Sequence, residues 1–335
     1  MRMIDLHCDT LWRLSRPDGL WGHRGTLMEN PYGVDVKRLE KADALVQAFA
    51  VFFMNGYIPA AKREDYAYHI ARRRIHSYHR WRLQTGGRLQ PVRSYEDVCY
   101  CAKNRRVGSL LTLEDAVPVG TSLRRLHEFY DAGVRLITLT WNYENAAGYP
   151  NSRDSSVMRK GLKPFGKVLI EEMNDLGMII DVSHLSDGGF WDVARRSKKP
   201  FIASHSNARA VTSHPRNLTD EMIRAIAEKG GVIGLNFCPG FLSSRNISTI
   251  NGMLRHIHHI YQVGGEDVLA LGSDLDGISG RIQLDSCDKI PLLAGALKRY
   301  KMSDRVLEKM WNKNALRVFR EVLHENYYNF FDQES

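Results

Sequence analysis

Five side chains with metal-ligand chemistry close short apolar runs between residues 7 and 205. They are His7 and Asp9 in IDLHCDT, Glu114 in LLTLED, His184 in IIDVSH and His205 in FIASH. Imidazole nitrogen and carboxylate oxygen are donors that divalent zinc accepts in catalytic sites, where one position stays open for water. Residues two apart on a strand project to the same side, so His7 and Asp9 can grip one ion together. His184 and His205 can serve a second ion, and Glu114, with two oxygens, can bridge the pair. Water shared by two such ions is acidic enough to act as hydroxide near neutral pH. Two divalent ions set against Asp9, Glu114 and one hydroxide leave one positive charge. Asp274 in LGSDLDG would neutralise it, hold the hydroxide and later carry its proton to a leaving amine. Asp276 is the rival for that role, but Gly277 indicates that the turn has begun, which favours Asp274. A lone histidine after a strand is usually packed or surface-exposed. Four strand ends in series with this chemistry point instead to a metal-dependent hydrolase.

Such residues converge only if their strands share one face. The apolar runs predict strands at 3–6, 45–53, 107–113, 135–140, 178–182, 201–204, 231–236 and 268–272. Between and after them, helical patterns occupy 34–42, 60–84, 95–104, 122–132, 164–176, 187–197, 220–228, 248–263, 292–300, 303–311 and 314–323. A Gly/Asn/Ser-rich loop at 141–161 is long enough to cover a site. Eight short strands alternating with helices predict an α/β protein, a (β/α)8 TIM-type barrel with helical insertions, as a single domain over 1–335. In such barrels the C-terminal strand ends carry the chemistry, and the five ligands fall there.

The 335 residues are 43% hydrophobic with a mean hydropathy of −0.36, as expected of a folded core in water. No apolar run reaches the ~18 residues of a membrane span; the longest, 45–54, is interrupted by Gln47. The first strand and ligand pair begin next to Met1, which leaves no room for a secretory signal, so a cytoplasmic location is expected. Five cysteines without a CxxC spacing suggest neither a disulfide framework nor a thiolate zinc site. Cys8 should point away from His7 and Asp9, into packing. The net charge of +9 raises nucleic acid as a partner, with Arg72, Arg73, Arg74, Arg80 and Arg82 as its densest cluster. Interleaved Tyr78 and Trp81 favour instead a solvated helix face with aromatics turned to the core. His69, His76 and His79, like His256, His258 and His259, read as surface or packing residues.

The blocks IDLHCDT, LTLED, GVRLITLTWN, GLKPFGKVLIEEMNDLGMIIDVSHLS, FIASHSNARAVTSHPRNLTDE, LGSDLDG and WNKNALRVF carry a resemblance that runs essentially end to end. The chain resembles the renal-type (membrane) dipeptidase family of zinc peptidases, among the amidohydrolase-like barrels. The resemblance implies two Zn2+ per chain, held by His7, Asp9, bridging Glu114, His184 and His205; such donors also accept cobalt and manganese. It implies that Arg216 in HPRN binds the C-terminal carboxylate of a dipeptide substrate, a task suited to a planar, bidentate donor fork. It further implies proton transfer by Asp274, tolerance of a D-residue at the C-terminal position, and a homodimer. In renal-type enzymes the strand-four motif ends in a histidine that contacts substrate and the developing oxyanion. Here Trp141 stands there, followed by Asn142, and these two are the expected substrate contacts. Indole donates one hydrogen bond and cannot become a cation, so the oxyanion would rely more on zinc, helped by Asn142, Tyr143 or Asn145. The C-terminal YYNFFDQES is not the hydrophobic tail of an anchor signal.

The expectation is a cytoplasmic, metal-dependent dipeptidase that uses a zinc-bridged hydroxide. Its rivals are another hydrolase on the same metal site, acting on a lactone, acyl-amino acid or phosphoester, and a non-catalytic basic binding protein.

Overall fold

Met3–Asp5, wholly buried, pairs in parallel with Ala44–Val51 on one side and Leu269–Leu271 on the other. From there a computed structural model, describing residues 1–15, 25–54, 56 and 58–324, extends the sheet in both directions. Ala44–Val51 leads to Val107–Glu114, Val134–Thr138 and Ile179–Asp181, while Leu269–Leu271 leads to Ile233–Leu235; every pairing is parallel. The ring closes at 201–204, where Ile202 pairs with Asp181 and Ala203 with Ile233 as single bridges. The fold is a (β/α)8 barrel, and all eight predicted strand positions lie in its wall. The sixth is a seam of two bridges against which neighbouring backbone packs closely: a Cβ on Gly234 would lie 1.9 Å from the Ser204 carbonyl oxygen, and one on Gly272 1.8 Å from it. Only glycine permits that approach.

Every residue of Ala44–Val51 and Val107–Glu114 is buried. Their sequences therefore read as continuous apolar runs rather than alternations, as in sheets covered on both faces. Surrounding helices start and stop on local signals. Ser94 and Asp97 form a capping box for Tyr95–Lys103, and Thr219 caps Asp220–Glu228. Pro164 opens Pro164–Leu176, which ends at Gly177 with φ 74°.

The outer helix Ala60–Leu83 turns Tyr78 and Trp81 inward and leaves Arg72, Arg73 and Arg80 in solvent, the arrangement of an ordinary solvated face. His256 is buried, and His259 pairs with Asp220 at 2.7 Å. Several features escaped the sequence reading, among them the short helices Ser155–Met158 and Pro239–Leu242 and the strand pair Ile247–Ser248 and Arg281–Ile282. Thr10–Leu14 is a short helix directly after the first ligands. Leu89–Pro91 adds a strand beside Val107–Glu114, and the expected helices at 303–311 and 314–323 join through a π-helical turn, Lys309–Lys313. That turn is held by tertiary bonds, Asn312 Nδ2 to Arg2 O (2.5 Å) and Asn314 Nδ2 to Leu269 O (2.9 Å), which no local pattern announces. The segment YYNFFDQES lies outside the described residues. No helix among the described residues is long and apolar enough to cross a membrane.

Candidate active site

Five of the barrel's strand positions deliver the predicted ligands to one place. Glu114 is the last residue of Val107–Glu114, and His7 and Asp9 follow Met3–Asp5. His184 follows Ile179–Asp181, His205 follows the seam, and Asp274 follows Leu269–Leu271. All six are buried. Glu114 lies at the centre. Its Oε2 is 3.5 Å from His7 Nε2, while its Oε1 is 3.3 Å from His184 Nε2 and 3.7 Å from His205 Nε2. His7 Nε2 is also 3.4 Å from Asp9 Oδ2, and the His184 and His205 Nε2 atoms lie 3.1 Å apart. Two groups bring one donor atom from each member within 4.8 Å of the others: His7, Glu114 and His205, and His7, Asp9 and Asp274.

Backbone geometry is strained on both sides of this cluster. His184 has φ 66° and Asp274 φ 59°, a left-handed conformation that costs a non-glycine residue of order 1 kcal/mol or more. The surroundings hold it: the His184 carbonyl accepts from Thr140 Oγ1 (3.1 Å), Asn151 N (2.7 Å) and Asn151 Nδ2 (3.0 Å). The Asp274 N–H donates to His7 O at 3.2 Å, and its Oδ2 accepts from Asn236 Nδ2 at 3.0 Å. Gly277 makes room for the carboxylates, since a Cβ there would lie 2.1 Å from Asp9 Oδ2 and 2.5 Å from Asp274 Oδ1.

The imidazoles are oriented from behind. His205 Nδ1 is 2.7 Å from Ser204 Oγ, whose hydroxyl donates to Asp181 Oδ2 at 2.6 Å. His205 is therefore the Nδ1–H tautomer and its Nε2 lone pair faces Glu114. His184 Nδ1 is 3.3 Å from Asn142 Oδ1, which leaves its Nε2 bare in the same way. Burial, with Arg216 and His7 nearby, pushes both histidines well below the usual imidazole range, so both rings are neutral and their Nε2 lone pairs free to bind a cation. Burial opposes charge on His7 too, but Glu114 and Asp9 outweigh it and hold the ring well above that range. Burial and Asp9 push Glu114 up to about 8, against the pull of His7. Burial likewise pushes Asp274 up to about 7.

The residues fit a divalent metal. His7 Nδ1, His7 Nε2 and Asp9 Oδ1 are buried without a hydrogen-bond partner, and each such atom costs about 1–3 kcal/mol unless something satisfies it. An ion among these donors would satisfy His7 Nε2 and Asp9 Oδ1 and relieve the carboxylate crowding.

Arg216 is buried beside the cluster, with Nη1 donating to Ser206 Oγ (2.7 Å) and Nη2 to His205 O (2.8 Å). Its Nε is buried and unpartnered. Asp276 is engaged elsewhere, accepting from Thr10 Oγ1 and Gly33 N at 2.6 Å each, whereas Asp274 joins the ligand group. Trp141 lies 4.8 Å from Phe52 and 6.4 Å from His184, centroid to centroid. Asn142 is exposed apart from its contact with His184. Asn145 is wholly committed to its loop, bonding Asp115, Leu139 O, Ala147 N and Gly148 N. Cys8 packs into the core. Sequence reasoning missed Asp181, Ser204 and Asn236. DVSHLS and FIASH place Asp181 and Ser204 near ligands, but their contact spans 23 residues.

The comparisons agree with this geometry. The profile of the membrane dipeptidase family (peptidase family M19) matches residues 1–329. An uncharacterized protein from the pqqA 5′ region of Klebsiella pneumoniae is 38% identical over 248 residues, 71% of this chain and 90% of that protein. Dipeptidase tcpJ of Claviceps purpurea is 31% identical over 301 residues, 86% of this chain and 69% of that enzyme. Among solved structures, a Rhodobacter sphaeroides metallopeptidase bound to a phosphinate mimic of L-Ala-D-Ala superposes with TM-score 0.85 at 26% identity, covering 96% of this chain and 99% of that one. Five ligand-type side chains on four strand ends, in a chain matched almost from end to end, have one explanation: this protein belongs to the membrane dipeptidase family, the M19 metallopeptidases.

Proposed function

We propose that the protein is a binuclear zinc dipeptidase in which the whole chain acts as one catalytic unit. The observation that carries this reading is the split of Glu114: one oxygen faces His7, the other His184 and His205. In this reading His7 and Asp9 would hold one ion and His184 and His205 the other, with Glu114 shared between them. The ions would supply Lewis acidity to the peptide carbonyl and make water a nucleophile at neutral pH. Asp274, buried beside His7 and Asp9 and steadied by Asn236, would take the proton of the attacking water and return it to the departing amine. Arg216 keeps a buried, unsatisfied Nε–H and grips the substrate's C-terminal carboxylate. Trp141 and Asn142 border the substrate on the His184 side.

A substrate fixed at both ends yields two free amino acids. The phosphinate ligand of the Rhodobacter sphaeroides relative mimics a dipeptide ending in D-Ala, which supports tolerance of a D-residue at that position here. The five cysteines are free, in keeping with the reducing cytoplasm, and a homodimer is the assembly we take with it.

Amino-acid release from L,L and L,D dipeptides by zinc-loaded protein, with Glu114→Gln as control, tests the reading. Turnover on both series that vanishes in the control, with two ions bound per wild-type chain, is expected. Two bound ions without dipeptide turnover, but with cleavage of a lactone or acyl-amino acid, would overturn it.

A further inference from the structure

Beside Arg216, on the catalytic face, lies a cavity of about 1090 Å³. Loops after the fourth, sixth and seventh barrel strands wall it with Arg153, His214 and Arg245, and Arg255 projects from the helix Ile250–Gly264. Among the described residues no aspartate or glutamate lines it. Some surface cations meet carboxylates, as Arg88 meets Glu40, Arg209 meets Asp187 and Lys309 meets Glu266, and others, such as Arg73 and Arg80, stand singly in solvent. Among the described residues Arg153, Arg245 and Arg255 form no ion pair at all. The helix Ile250–Gly264 also begins here with no acid in its first turn, two of its N–H groups being taken by the neutral oxygens Thr249 Oγ1 and Gln283 Oε1. Ordinary surface design intersperses the two signs. Concentrated positive charge in a polar concavity raises the local concentration of anions.

The cavity is one ring away from the proposed carboxylate grip. His214 packs on Phe241 at 4.8 Å between centroids, and Arg216 Cζ lies 5.7 Å from the centre of that same Phe241 ring.

We propose that this cavity is an oxyanion-binding subsite, separate from the metal centre, that takes a carboxylate or phosphate group. Two sources share that chemistry. One is an acidic side chain on the C-terminal residue of the substrate, an assignment that rests on the dipeptidase reading. The other is a free multivalent anion. Guanidinium forks suit both, because planar donors pair with carboxylate and phosphate oxygens alike.

The experiment compares wild-type holoenzyme with the Arg245→Ala/Arg255→Ala double variant, with Arg73→Ala on the outer helix as a charge control. Arg245 and Arg255 are exposed, so truncation leaves the core intact, and matching melting curves verify this. Calorimetric titration with pyrophosphate reads the free-anion source. The ratio of kcat/KM for Ala-Asp over Ala-Asn reads the substrate source. A loss of about tenfold in pyrophosphate affinity, or in that ratio, in the double variant alone is the expected result for charge-assisted contacts. Equal pyrophosphate affinity in wild type and double variant, whether both bind or neither does, together with an unchanged ratio, overturns the proposal. If no dipeptide is hydrolysed by any form, the dipeptidase reading fails and the titration alone decides the cavity.

Discussion

Asp181 and His205 are joined through one hydroxyl: Ser204 Oγ donates to Asp181 Oδ2 at 2.6 Å and accepts from His205 Nδ1 at 2.7 Å. Asp181 also accepts from the backbone N–H groups of Ser183 (2.9 Å) and Ser204 (2.8 Å) and from Thr138 Oγ1 (2.6 Å). One buried carboxylate thus fixes the tautomer of His205 and the backbone leading to both His184 and His205. Outer partners of this kind typically set metal affinity by about 10–100-fold.

Ser204→Ala removes the link while leaving Asp181 its backbone donors. Zinc affinity, measured by competition with a chromophoric chelator, should fall by about tenfold or more with little change in the melting temperature of the metal-free protein. Undiminished affinity would show that His205 needs no such support.

Gly277→Ala places a Cβ where Asp9 Oδ2 and Asp274 Oδ1 now sit, at 2.1 and 2.5 Å. One or both carboxylates must move, and misplacement of about 1 Å at a reacting centre costs on the order of 100-fold. Steady-state kinetics should record that loss in kcat. Wild-type activity in this variant would remove Asp9 and Asp274 from the chemistry as drawn.

Arg216→Lys keeps a positive charge but loses the fork. Since Arg216 already spends donors on Ser206 and His205, a lysine cannot both hold that frame and grip a carboxylate. A drop of about 100-fold in kcat/KM, carried largely by KM, with metal content unchanged, is the expected outcome. A loss confined to metal content would make Arg216 a scaffold residue.

His256 offers a pH test away from the metal. Its Nδ1 accepts from Ala208 N at 3.1 Å and its Nε2 lies 3.2 Å from Leu242 O, so the buried ring is held neutral. Burial lowers it from 6.5 to about 4. A depressed folded pKa contributes stability that is complete above 6.5 and lost as pH falls toward 4. That drop corresponds to about 3 kcal/mol at most. Denaturant unfolding of metal-free wild type and His256→Asn at pH 7 and 4.5 should show a shallower pH loss in the variant. Identical slopes would place the acid sensitivity elsewhere.

The barrel order, all eight strand positions and the convergence of His7, Asp9, Glu114, His184 and His205 were legible in the sequence. Each depends on a local signal: an apolar run, a cap, and a donor at its end. Residues whose role depends on distant contacts were not. The turn at Gly277 favoured Asp274 over Asp276, but the partners that engage Asp276, Thr10 and Gly33, lie more than 200 residues away and were not legible. Leu89–Pro91 is too short to carry a period, and the π-helical turn at Lys309–Lys313 exists because Arg2 O and Leu269 O reach it. Asn145 looked like a donor for substrate, yet its amide is spent on its own loop.

The seam at 201–204 has a mechanical meaning. His184 stands just beyond the strand on one side of it, and His205 ends the seam itself, with their Nε2 atoms 3.1 Å apart. An ion shared by these two rings would act as a clasp across the seam, which a single bridge joins to the wall on each side. Metal-free protein would then breathe open at that gap first, and amide exchange at Ile202 and Ala203 would slow on metal loading more than anywhere else in the wall.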